Sequence, residues 1–351
     1  MKKVRFGIVG LGTIGKVHAQ NILDGKVKDG VLTAVCDIAP ANINYDEVKS
    51  FNSISDMFKS GEVDAVLIAT PHYYRPDLAM EAFNHNLHVM LEKPAGVYLS
   101  HVREMVSAAK AAEAEAGCVF GIMFQYRTDG AFKKMHQLVH DGEIGEIKRT
   151  NWVATHNYRE QEYYDRNNWR GTWKGAGGGV LLNQCSHNLD IMQWVCGMPT
   201  KVTAFCHEGK WHDIEVEDDV TAYIEYANGA TGSFVASTGD KAGTNRFEVV
   251  GSLGKIVYED GKLSIFKEPE YKKVAVRTGG KPADRARVLA SFVDKVLNRG
   301  ELCVEGEEGI NSLVLSNAMY LSSWLGKTVP VPLDEELFLE ELRRKYSKAA
   351  F

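Results

Sequence analysis

The 351-residue chain has no CxxC pair and no regular cysteine spacing; its six cysteines stand at 36, 118, 185, 196, 206 and 303. Nothing here suggests a disulfide framework. Several thiols lie inside apolar segments, as in Val35-Cys36 and Cys118-Val119-Phe120, so buried free thiols in a reducing compartment, the cytoplasm, are expected. No apolar run reaches the ~18 residues of a membrane span. Met1-Lys2-Lys3-Val4-Arg5-Phe6 runs into strand-like sequence with no small-residue cleavage site, so no signal peptide is expected. Excess basic charge is also missing. Forty-one Lys and Arg against forty-six Asp and Glu give −5, and the longest basic run is Arg343-Arg344-Lys345, which argues against a nucleic-acid backbone binder. There are no repeats and no low-complexity segments.

What is present is an ordinary globular composition, 44% apolar and 25% charged, at a length that suggests two domains. Strand-length apolar runs at Val4–Val9, Val31–Cys36, Ala65–Thr70, Leu87–Leu91 and Val119–Phe124 alternate with helical patterns at Thr13–Leu23, Pro76–Asn84 and Ser100–Ala116. Continuous runs suit parallel strands buried on both faces. Residues 1–125 therefore read as an α/β domain of doubly wound type. Beyond them come a helix (Ala131–His140), a strand (Glu146–Thr155), an aromatic and polar loop (His156–Trp173) and a helix over Val180–Val195. Strands with tight turns at Asn228-Gly229, Leu253-Gly254 and Asp260-Gly261 follow, and then three final helices. Residues 126–351 thus read as an α+β domain with a large, mostly antiparallel sheet.

Gly10-Leu11-Gly12-Thr13-Ile14-Gly15 follows the first strand and opens the first helix. The first glycine makes the turn, the second lets backbone approach a pyrophosphate, and the third lets helix pack on strand. The helix N-terminus favours phosphate charge. Asp37 ends the second strand 22 residues past Gly15. A carboxylate there accepts from ribose hydroxyls and repels a 2′-phosphate, so NAD is expected rather than NADP.

Glu92-Lys93-Pro94 ends the strand Leu87–Leu91 at the ligand-binding edge of such a sheet. Gly177-Gly178-Gly179 leads into a helix on which Asn183, His187 and Asp190 are spaced i, i+4 and i+7, on one face. Loss of hydride from a carbinol carbon requires loss of the hydroxyl proton, and a lysine with an imidazole supplies that function. Arg127, His156, Asn157 and Tyr158, with Asn183 and Asp190, are the candidate substrate contacts. They offer hydroxyl-binding groups beside aromatic faces, as a pyranose or inositol ring needs. The acidic stretch Asp213–Asp219 has no accompanying His or Cys spacing. No metal site is expected there, only solvated carboxylates on a half-buried edge.

The ordered set of GxGxxG, Glu92-Lys93-Pro94, Trp169-Arg170 before the triple glycine, and His187-x-x-Asp190 resembles the Gfo/Idh/MocA family over essentially the whole chain. The resemblance implies a Rossmann domain followed by an open-faced sheet domain that mediates homodimers or homotetramers. It implies nicotinamide-dependent hydride transfer at a hydroxyl of a sugar, glycoside or cyclic polyol. It makes Lys93 the catalytic lysine and His187 the acid/base. By the same likeness Trp169 and Arg170 lie at the nicotinamide end, and Thr70, Pro71 and His72 line the dinucleotide. Two positions depart from the family pattern. Asn183 stands where many polyol dehydrogenases of the family carry Asp, so a proton relay through it is absent. His72-Tyr73-Tyr74-Arg75 replaces the usual Asn-x-x-His after Thr-Pro. Two other readings use the same residues: an NAD-retaining glycoside hydrolase that oxidises its sugar transiently, and a non-enzymatic NAD-bound sensor.

Overall fold

A computed structural model describes every residue except 1, 40–41, 43–44, 46, 167–168 and 349–351. The chain forms two compact units, 1–128 with 284–310, and 129–283 with 311–351.

In the first unit six parallel strands, β1 (Val4–Val9), β2 (Gly30–Cys36), β3 (Lys49–Phe51), β4 (Ala65–Ile68), β5 (His88–Leu91) and β6 (Phe120–Ile122), lie in the order β3-β2-β1-β4-β5-β6. Helices α1 (Thr13–Leu23), α2 (Ile54–Lys59), α3 (Arg75–Asn84) and α4 (Leu99–Ala116) connect them. The order reverses between β1 and β4, which sets a crevice at their carboxyl ends. β3 and α2 are absent from the sequence reading because three and six residues are too few to show a period.

The sequence reading places 284–310 in the second domain, whereas the structure returns this segment to the first unit. Its helix (Arg285–Val296) buries Val288, Leu289, Phe292 and Val293 in the core that contains Phe6, Ile8, Val35 and Met90. Four side chains buried at helical spacing, at roughly 1.5–3 kcal/mol each, account for the docking.

The second unit holds α5 (Gly130–His140), β7 (Ile147–Ala154), short helices α6 (Gln161–Asp165) and α7 (Trp173–Ala176), and α8 (Ser186–Cys196). Strands β8 (Lys201–Glu208), β9 (Glu217–Glu225), β10 (Thr231–Ser237), β11 (Asn245–Gly251), β12 (Gly254–Glu259), β13 (Lys262–Lys267) and β14 (Lys273–Ala275) follow. After the returning helix, here α9, come α10 (Gly309–Leu325), β15 (Val329–Pro330) and α11 (Glu335–Lys348). The nine-stranded sheet runs β14-β13-β12-β11-β7-β10-β9-β8-β15, with only β7 and β10 parallel. Burial alternates along β11 and along the second half of β7. Thr150, Trp152 and Ala154 of β7 are buried, and Trp152 stacks on Phe247 at 4.2 Å. Asp260 and Gly261, both at positive φ, close the β12–β13 hairpin.

Candidate active site

The loop after β1 is built for close backbone approach. Gly10 has φ +91°, and a Cβ there would stand 3.0 Å from the Ala69 carbonyl carbon. At Gly15 a Cβ would lie 1.9 Å from the Gly10 carbonyl oxygen. At Gly12 it would meet no atom within 4 Å. The outer glycines are therefore demanded by packing, and the middle one faces open space. Gly12 is the extended N-cap of α1, and no side chain caps the helix, which leaves Thr13, Ile14 and Gly15 at a helix start suited to phosphate. Asp37 accepts from Leu11 N at 2.5 Å, Ala39 N at 2.7 Å and Asn42 Nδ2 at 3.2 Å, so its carboxylate is fixed at the end of β2. The Thr70 hydroxyl just past β4 is buried without a partner among the described residues. An open glycine, an uncapped helix start, an anchored carboxylate and an unpartnered hydroxyl at one sheet edge fit a dinucleotide. Pro71 and the buried His72 continue that edge.

Glu92 and Lys93 follow β5 on the same edge. The Arg75 guanidinium donates to the carbonyls of Thr70 (2.9 Å), Glu92 (2.9 Å) and Pro94 (2.8 Å), tying the loops after β4 and β5 together. Burial lowers its pKa to about 10. Glu92 bonds to His18 Nε2 at 2.7 Å and accepts from the Lys93 amide at 3.0 Å. Burial opposes ionisation of Glu92, but the His18 bond and the charges around it, Lys93 and Arg75 among them, outweigh burial and hold its carboxyl low. The backbone that carries Lys93 is thus clamped from two sides. Sequence reasoning missed His18 and Arg75. Nothing marks a lone buried histidine, and in the sequence Arg75 stands out only as part of the His72-Tyr73-Tyr74-Arg75 departure from pattern. The buried guanidinium of Arg127, a candidate substrate contact, pairs with Glu308 at 2.9 Å within the first unit.

In the second unit the expected helix over 180–195 is two pieces. Val180–Gln184 is a π-turn, with Cys185 N donating to the Val180 carbonyl at 2.7 Å, and α8 begins only at Ser186. The helix is thus interrupted between Asn183 and His187, whereas His187 and Asp190 stand i, i+3 on α8. Asn183 Nδ2 donates to the Tyr163 hydroxyl at 3.2 Å, and Gln184 Nε2 reaches the same oxygen at 3.5 Å. The Arg170 and Arg159 guanidiniums lie 4.8 and 5.1 Å from the Tyr163 ring, and Arg170 lies 5.0 Å from the Trp169 ring. Asn157 Nδ2 reaches Cys185 Sγ at 3.9 Å. Asn157, Asn183, Trp169 and Arg170 are thus gathered around the π-turn and Tyr163. In the sequence Tyr163 is one aromatic of the His156–Trp173 loop, with no signal that separates it from its neighbours.

His156 Nδ1 is buried without a partner among the described residues, and burial lowers its pKa. The Tyr158 ring faces Lys241 at 5.6 Å and its hydroxyl bonds Glu160, which raises its pKa. His187 is nearly buried; Asp190 is wholly buried and accepts from Gln193 Nε2 at 3.2 Å.

The acidic stretch overturns its expectation. Glu217 and Asp218 are completely buried. Asp218 accepts from the amides of Lys210, Trp211 and His212 and bonds the His212 ring at 2.9 Å. Glu217 accepts from the amides of Gly179 and Leu181, both at 2.8 Å, and from the Tyr320 hydroxyl at 2.8 Å. Among the described residues no cluster of three His, Cys, Asp or Glu side chains suited to a metal occurs, and no helix is long and apolar enough to cross a membrane.

These features define a nicotinamide-dinucleotide oxidoreductase. Residues 4–120 match the oxidoreductase family with NAD-binding Rossmann fold, and residues 132–257 match the Gfo/Idh/MocA C-terminal domain. The chain belongs to the Gfo/Idh/MocA family. It is similar to 1,5-anhydro-D-fructose reductase of Ensifer adhaerens (25% identity, 93% of this chain and 98% of that one). It is also similar to inositol 2-dehydrogenase of Rhizobium meliloti (25%, 90% and 95%). Among solved structures it resembles the WlbA dehydrogenase of Bordetella pertussis in complex with NADH and UDP-GlcNAcA (28% identity, TM-score 0.82, 95% and 100%).

Proposed function

We propose that this protein is an NAD-dependent dehydrogenase acting on a secondary hydroxyl of a sugar, glycoside or cyclic polyol. The first unit binds the dinucleotide and the second binds the substrate. The observation that carries this reading is the double clamp on the Glu92-Lys93 backbone at the edge that also presents the glycine loop. When bound, NAD supplies the hydride acceptor. His187 takes up the one hydroxyl proton and Lys93 holds the hydroxyl oxygen as the carbinol carbon gives up its hydride, so a C=O forms from C–OH and no oxocarbenium is left. Asn183, with no proton to exchange, orients the substrate with Tyr163. Asp37 supports NAD over NADP, since its fixed carboxylate repels a 2′-phosphate. The relatives named for anhydrofructose and inositol support a hydroxylated ring.

The test is the near-ultraviolet absorbance of NADH, with NAD and a panel of inositols, free sugars, glucosides and a uronate. The uronate is included because Arg159 and Arg170 have no carboxylate partner among the described residues. NADH should grow with one ring and fall by at least about a hundredfold in Lys93→Ala, the scale of a lost acid–base group. Aglycone release without NADH would replace this reading with the NAD-recycling hydrolase. Function that survives Lys93→Ala would replace it with the sensor.

A further inference from the structure

The buried acid of β9 sits where nothing in the proposed chemistry requires one. Glu217 lies directly against the triple glycine. A Cβ on Gly179 would stand 1.9 Å from the Glu217 carbonyl oxygen, and one on Gly178 would stand 2.3 Å from the Tyr320 hydroxyl. The glycines are small because Glu217 and Tyr320 occupy the space beside them. The Glu217 carboxylate in turn takes the amides on either side of Val180, at Gly179 and Leu181, which are unsatisfied donors at a helix start.

We propose that Glu217 is a positioning residue: its carboxylate, bonded to the Gly179 and Leu181 amides, fixes the π-turn that carries Asn183 and opens α8, which carries His187. The proposal rests on Asn183 and His187 serving the substrate. The clamp itself is a property of the second unit alone.

Burial pushes the Glu217 carboxyl up to about 7, against the bonds from Leu181, Tyr320 and Gly179 that favour its charge. The titratable groups facing it are Tyr320 on α10, Cys206 and the cross-strand partner of Glu217, Glu208, on β8, and Tyr164 on α6. The cation beside this cluster, Lys345, is paired with Glu208, so the hydrogen-bond donors are the main groups that favour charge on Glu217. Above neutrality the carboxylate accepts both amides fully. Protonation converts one oxygen to a donor and weakens the hold on the turn.

Amide hydrogen exchange of peptides over 177–187, in full-length protein with NADH and corrected for intrinsic rate, reads this directly. In the wild type, exchange at Gly179 and Leu181 should quicken as pH falls from about 8.5 to about 6, through the raised carboxyl. Glu217→Gln should exchange about tenfold faster at the higher pH, the scale of a charge-assisted bond, and lose the pH dependence. Tyr320→Phe removes a donor to the carboxylate, so its transition should move to higher pH, a shift that loss of packing alone does not produce. With the ring the absorbance panel identifies, Glu217→Gln should lose about tenfold in kcat/KM, and the acid limb of the kcat profile should move upward in Tyr320→Phe. Unchanged exchange in Glu217→Gln, or pH-independent exchange in the wild type, would overturn the proposal. If Glu217→Gln does not fold, Tyr320→Phe decides alone: no upward shift overturns it. The exchange experiment needs no substrate, so its failure is distinct from failure of the dehydrogenase reading.

Discussion

At Asp37 one carboxylate holds structure, and the proposed function gives it the choice of cofactor as well. Its bonds to the Leu11 and Ala39 amides join the glycine loop to the end of β2, and in the proposed function its charge meets the adenosine ribose. Asp37→Asn preserves size and one acceptor oxygen but removes the charge. NADH should then bind more weakly by about 1–2 kcal/mol, from lost charge-assisted bonding. NADPH should bind more tightly, because the repulsion is gone and Lys16, bonded to Asn42 at 3.2 Å, stands close by. Fluorescence titration of both cofactors gives the ratio of dissociation constants. An unchanged ratio would mean that Asp37 serves the loop alone.

At the scale of the element, the three glycines of one loop separate by what surrounds them. Gly15→Ala drives a methyl into the Gly10 carbonyl oxygen, a backbone atom that cannot rotate aside. It should destabilise the protein by about 1–3 kcal/mol, the range for overpacking. Gly12→Ala points its methyl into open space and has an ordinary φ of −65°. It should leave the melting temperature of the ligand-free protein within a degree or two yet weaken NADH binding by about tenfold or more. Thermal melts with and without NADH distinguish the two; a large loss of stability in Gly12→Ala would contradict a cradle for phosphate. This loop was legible in the sequence because local chain spacing alone sets its geometry. The π-turn was not. Val180–Val195 carries an unbroken helical pattern, and what interrupts it is Glu217, 36 residues beyond Leu181, reaching back to two amides. The same stretch of acids reads as solvated edge by alternation, and only tertiary donors at 179, 181 and 210–212 reveal Glu217 and Asp218 as interior groups.

At the scale of the whole molecule, the alternation of a parallel and then a mostly antiparallel sheet was readable from hydrophobic period, whereas the return of 284–310 to the first unit was not. An amphipathic helix shows that it has a buried face without showing which sheet covers it. The large sheet poses the converse question, since one of its faces remains open. Phe205 on β8 and Tyr223 on β9 are 62% and 48% exposed. Thr203 pairs with Tyr223 and Phe205 with Thr221, which puts all four on one face. Farther along, Arg246, Glu248, Lys255 and Glu259 form ion pairs across β11 and β12. The edges are poor docking sites: β14 is three exposed residues including a lysine, and β15 is two residues ending in proline. Association through the face, rather than edge to edge, follows as the proposal for a homodimer or homotetramer, with an apolar patch beside salt-bridged polar surface as such interfaces require. Light scattering at micromolar concentration should give a multimer for the wild type. The pair Phe205→Glu and Tyr223→Lys should give a monomer with little change in melting temperature, since neither side chain belongs to the core. A monomeric wild type, or a multimer indifferent to both substitutions, would send the search for the interface to another surface.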